Sequence, residues 1–213
     1  NRMIYDIIII GSGPNSLLLL LYLTKFKYDS KILLVTNKLE KFHCTYGCFL
    51  EQIKNTWFID CIREDNIELY DEYKSYVNCT NLKLINNKNL IRFYNYLVFN
   101  DKFYNYLISN IKNNKNIEIK ELNVIDIQKY NNLTSIFYYE NKILNNFSGK
   151  IVIESVGHHK PLGIKFKNHL VNYQIFYGIK ILCKKKHLIK DIILLDWYNI
   201  KDNNITSFCY FIP

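Results

Sequence analysis

Tyr5-Asp6-Ile7-Ile8-Ile9-Ile10-Gly11-Ser12-Gly13-Pro14-Asn15-Ser16-Leu17-Leu18-Leu19-Leu20 is an apolar run, a glycine turn and a second apolar run. Ile7–Ile10 reads as a buried strand and Leu17–Phe26 as a helix, which is how a nucleotide-binding βαβ unit opens. In such a unit Gly11 permits the tight turn and Gly13 lets the backbone approach a pyrophosphate. The helix N-terminus behind them offers free N–H groups and the positive end of its dipole to an anion. Ser16 stands where the usual fingerprint has a third glycine, and it is small enough for close helix–strand packing. Gly11, Ser12, Gly13, Pro14, Asn15 and Ser16 are therefore the first candidate cofactor-binding residues.

The same stretch has a competing reading as a membrane span, since Ile7 to Leu23 carries no charge. The polar turn divides it into two halves, each well short of the roughly 20 apolar residues a spanning helix needs. No basic stretch followed by a signal-like core and a small-residue cleavage site is present. The expectation is a soluble or membrane-peripheral protein without a secretory signal or a transmembrane helix.

With 213 residues the chain has enough length for a substantial core in one or two domains. Alanine is absent, while Ile, Asn, Lys, Tyr and Leu dominate, a bias that follows AT-rich codons. The net charge of +9 carries less meaning for that reason. The lysines are scattered, with Lys184-Lys185-Lys186 as the one block. A nucleic-acid surface gathers its basic residues on one face, so no nucleic-acid partner is expected, whereas attraction to anionic lipid headgroups fits a peripheral membrane association. The six cysteines, without a secretory signal, indicate reduced thiols. His43-Cys44 with Cys48 lacks a second pair at zinc-like spacing, so no metal site is expected. His158 and His159 are adjacent and would point opposite ways on an extended segment.

Further along, Lys31–Val35 reads as a second buried strand parallel to the first. The position near its end, where dinucleotide folds place a ribose-binding carboxylate, is held by Thr36 and Asn37. Either could hydrogen-bond a ribose hydroxyl, more weakly than a carboxylate, and Thr36 is the cofactor-binding candidate of the two. Leu39 to about Leu90 mixes helix-like pieces around Trp57–Ile62 with polar turns. Phe103–Lys112 has helical spacing, and Ile117–Leu122 reads as a third core strand. Short alternating runs at 124–128, 135–139 and 142–147 predict an antiparallel meander, and 149–157 a return to a buried strand ending at Gly157. The Asn-Asn pairs at 86–87, 113–114, 131–132, 145–146 and 203–204 read as turns or surface loops. This order describes a flavin-type dinucleotide fold in which the last strand brings Gly157 back towards the cofactor. Strand-like runs at 173–182, 191–196 and 206–212 would open a second sheet, and its missing partners suggest a longer protein.

The motifs resemble the FAD-dependent lycopene cyclase family, in family order along nearly the whole chain. The pieces are Gly11-Ser12-Gly13-Pro14, Thr45-Tyr46-Gly47, Thr56-Trp57 and Glu154-Ser155-Val156-Gly157. They continue with Tyr173-Gln174-Ile175-Phe176-Tyr177-Gly178-Ile179, Leu195-Asp196-Trp197 and Phe208-Cys209-Tyr210-Phe211-Ile212-Pro213. The implied fold class is α/β. A Rossmann-like FAD-binding domain with a βαβ unit and a β-meander, of the glutathione-reductase-2 type, is followed by the start of an antiparallel-sheet substrate domain. On this reading residues 1–165 form the FAD domain, with an inserted segment of about 43–95 on the substrate side, and 166–213 begin the substrate domain.

The resemblance implies non-redox ring closure of a linear polyene by an isomerase that needs reduced FAD, with NADPH as a possible reductant. It adds Tyr46, Gly47 and Gly157 to the cofactor-binding candidates and leaves Asp196 as a weak catalytic one. The family's acidic motif falls beyond Pro213, and Tyr198 replaces the arginine after Asp-Trp. A lipophilic polyene as substrate implies a plastid-type organelle or a membrane-peripheral cytoplasmic location. Two other readings stand beside this one: a different FAD/NAD(P)H-dependent oxidoreductase of the same fold, such as an isoprenoid reductase or hydroxylase, and a degenerate, non-catalytic nucleotide-binding protein.

Overall fold

The structure is a computed structural model that describes residues 4–42, 46–65, 67–77, 93–156, 162, 181–186, 188, 190–196 and 209–213. Its elements run β1 (Ile4–Ile10), α1 (Pro14–Lys25), β2 (Ile32–Thr36), β3 (Gly47–Phe49), α2 (Leu50–Ile53), α3 (Trp57–Glu64) and β4 (Tyr70–Val77). They continue with β5 (Phe93–Phe99), α4 (Asp101–Lys112), β6 (Ile117–Glu121), β7 (Val124–Tyr130), β8 (Leu133–Glu140), β9 (Ile143–Glu154), β10 (Ile192–Asp196) and β11 (Cys209–Phe211). The chain divides into two compact units, Asn1–His43 with Tyr104–Tyr173, and Cys44–Phe103 with Gln174–Pro213.

The first unit is built on a six-stranded sheet in the order β6-β2-β1-β9-β8-β7. β1 lies between β2 and β9 and is parallel to both, while β6 extends the parallel part beyond β2. Strands buried on both faces read as unbroken apolar runs, which is what Ile7–Ile10 and Ile32–Val35 are. Tyr5, Ile8 and Ile10 join Leu33 and Val35 in one buried cluster with Val124 and Ile136 of the meander. The alternate residues Ile9, Ile32 and Leu34 are buried as well, as are Leu17, Leu20 and Leu21 of α1. Helix α1 begins at Pro14, earlier than the apolar run suggests, because proline is tolerated at a first helical position whose N–H has no intrahelical partner.

Two sequence expectations are corrected here. The runs at 142–147 and 149–157 are not separate strands: Asn145 and Asn146 lie inside the single twelve-residue strand β9. Its first half pairs antiparallel with β8 and its second half parallel with β1, so one strand ends the meander and also completes the core. Asn145 and Asn146 pair with Tyr138 and Phe137, and a ladder partner on the neighbouring strand outweighs the local turn tendency of asparagine. The pairs at 113–114 and 131–132 do follow an element's end, while 86–87 and 203–204 lie outside the described residues.

The second unit holds a five-stranded sheet in the order β11-β10-β4-β5-β3. Its pairings are antiparallel except β10 with β4, which is parallel and so requires a crossover of intervening chain. Val98 and Ile192 are buried on a face that also carries Phe49, Tyr73 and Tyr96. Phe58 of α3 packs edge-on against Phe103, and Phe103 stacks on Phe99 with centroids 4.3 Å apart. The expected run at 173–182 lies almost wholly outside the described residues.

Candidate functional site

The carboxyl ends of β1, β2 and β9 meet at the glycine turn, where open α/β sheets bind their ligands. The Gly11 N–H donates to the Val35 carbonyl at 2.7 Å, and the Ser155 N–H donates to the Ile10 carbonyl at 2.8 Å. Gly11 sits at φ +104°, and a Cβ placed there would lie 2.4 Å from the Ser155 carbonyl oxygen. Both the left-handed backbone and this close crossing demand glycine. Gly13 differs: a Cβ added there meets nothing within 4 Å. It is the N-cap of α1, in extended conformation, with no side-chain cap and no acidic residue in the first turn. The helix end therefore keeps its free N–H groups and positive pole facing space that no described residue fills, a setting that favours anions.

Ser16 is buried, and its hydroxyl has no hydrogen-bond partner among the described residues. Ser12 reaches across to β2, with its hydroxyl 2.8 Å from that of Thr36. Thr36 is buried, and both hydroxyls lie within hydrogen-bond reach of the Lys38 carbonyl, Thr36 at 3.2 Å and Ser12 at 3.5 Å. The hydroxyl that the sequence offered to a ribose is thus committed to fixing the loop after β2.

That loop also carries Lys38, paired with Glu40 at 2.5 Å, which holds its ammonium above the ordinary lysine range. The Leu39 N–H donates to Glu121 Oε1 at 3.0 Å. Glu121 ends β6 in register with Thr36. Sequence reading missed it, because it comes from the third parallel strand and matches no local motif.

Elsewhere on this sheet Tyr5 donates to Glu118 at 2.6 Å. Burial and that carboxylate push the Tyr5 hydroxyl far up, while the hydrogen bond holds Glu118 below the usual carboxylate range. Glu154, just ahead of the crossing, accepts from the Leu162 N–H.

Tyr46 and Gly47 belong to the second unit. Gly47 opens strand β3, and the Tyr46 carbonyl accepts from the Phe99 N–H at 2.9 Å. A Cβ at Gly47 would lie 2.6 Å from the Leu97 carbonyl oxygen as well as 2.4 Å from the Tyr96 ring, so a structural demand for glycine is visible there. Asp196 ends β10 opposite Cys209. Gly157 lies outside the described residues, as do His43, Cys44, His158, His159 and the position of the Asp196 side chain. An open cleft of about 610 Å³ lies between the far end of α1 and the end of α4, lined by Thr24, Lys27, Asn110 and Asn114 among others. It is remote from the glycine turn, and its charged lining residues are Lys27, Asp29 and Lys115. No helix among the described residues is long and apolar enough to cross a membrane.

Fold and glycine turn together define a Rossmann-like α/β protein. A family model described as lycopene cyclase protein matches residues 6–213, and the chain belongs to that family. Comparison with curated protein sequences gives no significant match. Among solved structures, the chain resembles p-nitrophenol 4-monooxygenase PnpA from Pseudomonas putida DLL-E4, at TM-score 0.52 and 14% identity over 75% of this chain and 42% of that one. It also resembles the myxobacterial chondrochloren halogenase CndH, described as an FAD-dependent halogenase, at TM-score 0.54 and 12% identity over 75% of this chain and 38% of that one. The flavin-dependent brominase Bmp2 aligns at TM-score 0.51 and 17% identity, over 73% and 39%. At these identities the likeness shows the fold, and the chain spans 38–42% of the length of these proteins.

Proposed function

We propose that this chain forms the FAD-binding part, and some of the substrate side, of a flavin-dependent enzyme that closes the end rings of a linear carotenoid without net redox change. The observation that carries the reading is the unblocked positive end of α1 beside Gly13, in a chain of the lycopene cyclase family. The residues present fit the group. Gly11 allows the turn to pass under Ser155, Gly13 leaves room, and the N–H groups at the start of α1 face that room to hold a pyrophosphate.

Bound reduced FAD would supply negative charge that favours carbocation character in a polyene. In the second unit, Phe49, Tyr73 and Tyr96 beside Val98 and Ile192 give an aromatic surface of the kind a polyene needs, and π-faces also favour positive charge. NADPH as reductant and a membrane-peripheral, plastid-type setting belong to the same proposal, because the substrate is lipid-dissolved.

The first test is the visible absorption spectrum of the purified protein after incubation with FAD. Near-stoichiometric flavin is expected, followed by cyclisation of lycopene under reducing conditions with no net flavin oxidation. Turnover that oxidises the flavin would replace this reading with a redox enzyme of the same fold. Folded protein that retains no flavin would leave a non-catalytic member of the family.

A further inference from the structure

A dinucleotide fold ordinarily holds the adenosine ribose with a carboxylate at the end of its second strand. Here that strand ends in Thr36, whose buried hydroxyl is occupied by Ser12 and the Lys38 carbonyl. The polar groups gathered at this end of the sheet are then few. Glu40 is held by Lys38. Glu121 accepts from the Leu39 N–H through Oε1 and interacts electrostatically with the Lys38 ammonium and Tyr104, with no hydrogen bond to Oε2 among the described residues. β6 is the immediate parallel neighbour of β2, with Thr36 and Glu121 in register. Adjacent strands lie about 4.8 Å apart. A glutamate side chain bridges that distance easily, and the Leu39 bond shows that this one reaches over the loop after β2.

We propose that Glu121 takes over recognition of the adenosine ribose, its Oε2 accepting from the 2′-hydroxyl while Oε1 holds the loop. The Ser12–Thr36 hydroxyl bridge is what makes the exchange workable. It ties the glycine turn to the loop, so that the pyrophosphate cradle and the carboxylate from the neighbouring strand stay in fixed relation. The inference rests on the flavin reading.

The test titrates wild type and Glu121→Gln with FAD and with the FAD analogue carrying 2′-deoxyadenosine, read by quenching of flavin fluorescence. The glutamine oxygen still accepts from Leu39, so the variant should melt at the wild-type temperature. A charge-assisted hydrogen bond exceeds a neutral one enough to predict about a tenfold loss of FAD affinity in the variant. Affinity for the deoxy analogue should be low in wild type and unchanged by the substitution. Equal losses for both ligands, or none for either, overturn the assignment to Glu121. If wild type binds neither ligand, the flavin reading itself falls and the proposal with it.

Discussion

Gly11 and Gly13 stand two residues apart and are glycine for different reasons. At Gly11 the constraint comes from inside the protein: the positive φ and the Ser155 carbonyl leave no place for a methyl group. Gly11→Ala should therefore destabilise the fold by about 2 kcal/mol or more, from backbone strain plus the steric conflict, measured by thermal or denaturant unfolding without ligand. At Gly13 nothing among the described residues opposes a side chain. Gly13→Ala should cost at most about 1 kcal/mol as a poorer N-cap, yet lose most FAD affinity because the methyl group enters the phosphate's space. Wild-type FAD affinity in Gly13→Ala would show that the phosphate does not lie there. The motif made both glycines legible, but it did not separate their roles. Thr36 and Glu121 show where local reading stops. What the Thr36 hydroxyl can do is decided by Ser12 across the turn, and Glu121 reaches the site from 82 residues away in sequence from Leu39.

At the scale of elements, unbroken apolar runs located β1, α1 and β2 and helical spacing located α4, while β6, expected as a core strand, is an edge strand whose residues are half-buried or exposed. The meander was legible from its alternating runs, yet the continuity of β9 was not, since Asn145 and Asn146 speak locally for a turn. The true turn lies just before, at Asn141-Lys142, where Glu140 and Ile143 pair across a two-residue loop. Asn141 has φ 50° and Lys142 φ 67°, the two positive values of a type I′ hairpin. Lysine in that conformation costs about 1–2 kcal/mol, which glycine avoids at an entropic cost of about 0.5–1. Lys142→Gly should stabilise the protein by about 0.5 kcal/mol, raising Tm by about 1–2 °C in calorimetry. A fall in Tm would mean that Lys142 contributes more through its side chain than the hairpin loses through its backbone.

For the whole molecule, two ion-sensitive ties bind β1 into its sheet: Tyr5 to Glu118 on β6, and Asp6 to Lys150 on β9. Hydrogen bonding holds both carboxylates below their ordinary values of 4.5 and 3.8. A depressed folded-state value means that the unfolded chain binds more protons, so this stabilisation is complete above about pH 5 and lost as pH falls through the folded values. Tm should be level from pH 7 to about 5 and decline below, with a shallower decline in Tyr5→Phe, which lacks the Glu118 bond. An unchanged slope would assign the acid sensitivity to other groups. The placement of β1 also bears on how the protein is made. Asp6 and Lys150 are 144 residues apart, and the strand flanked by Gly11 cannot close its second edge until β9 exists. At about 5–20 residues per second, a ribosome leaves that isoleucine-rich edge unpaired for roughly 7–30 s. β1 is thus a segment of the nascent chain in need of chaperone cover, and mutations that slow β9 should appear first as aggregation during synthesis rather than as instability of the finished fold.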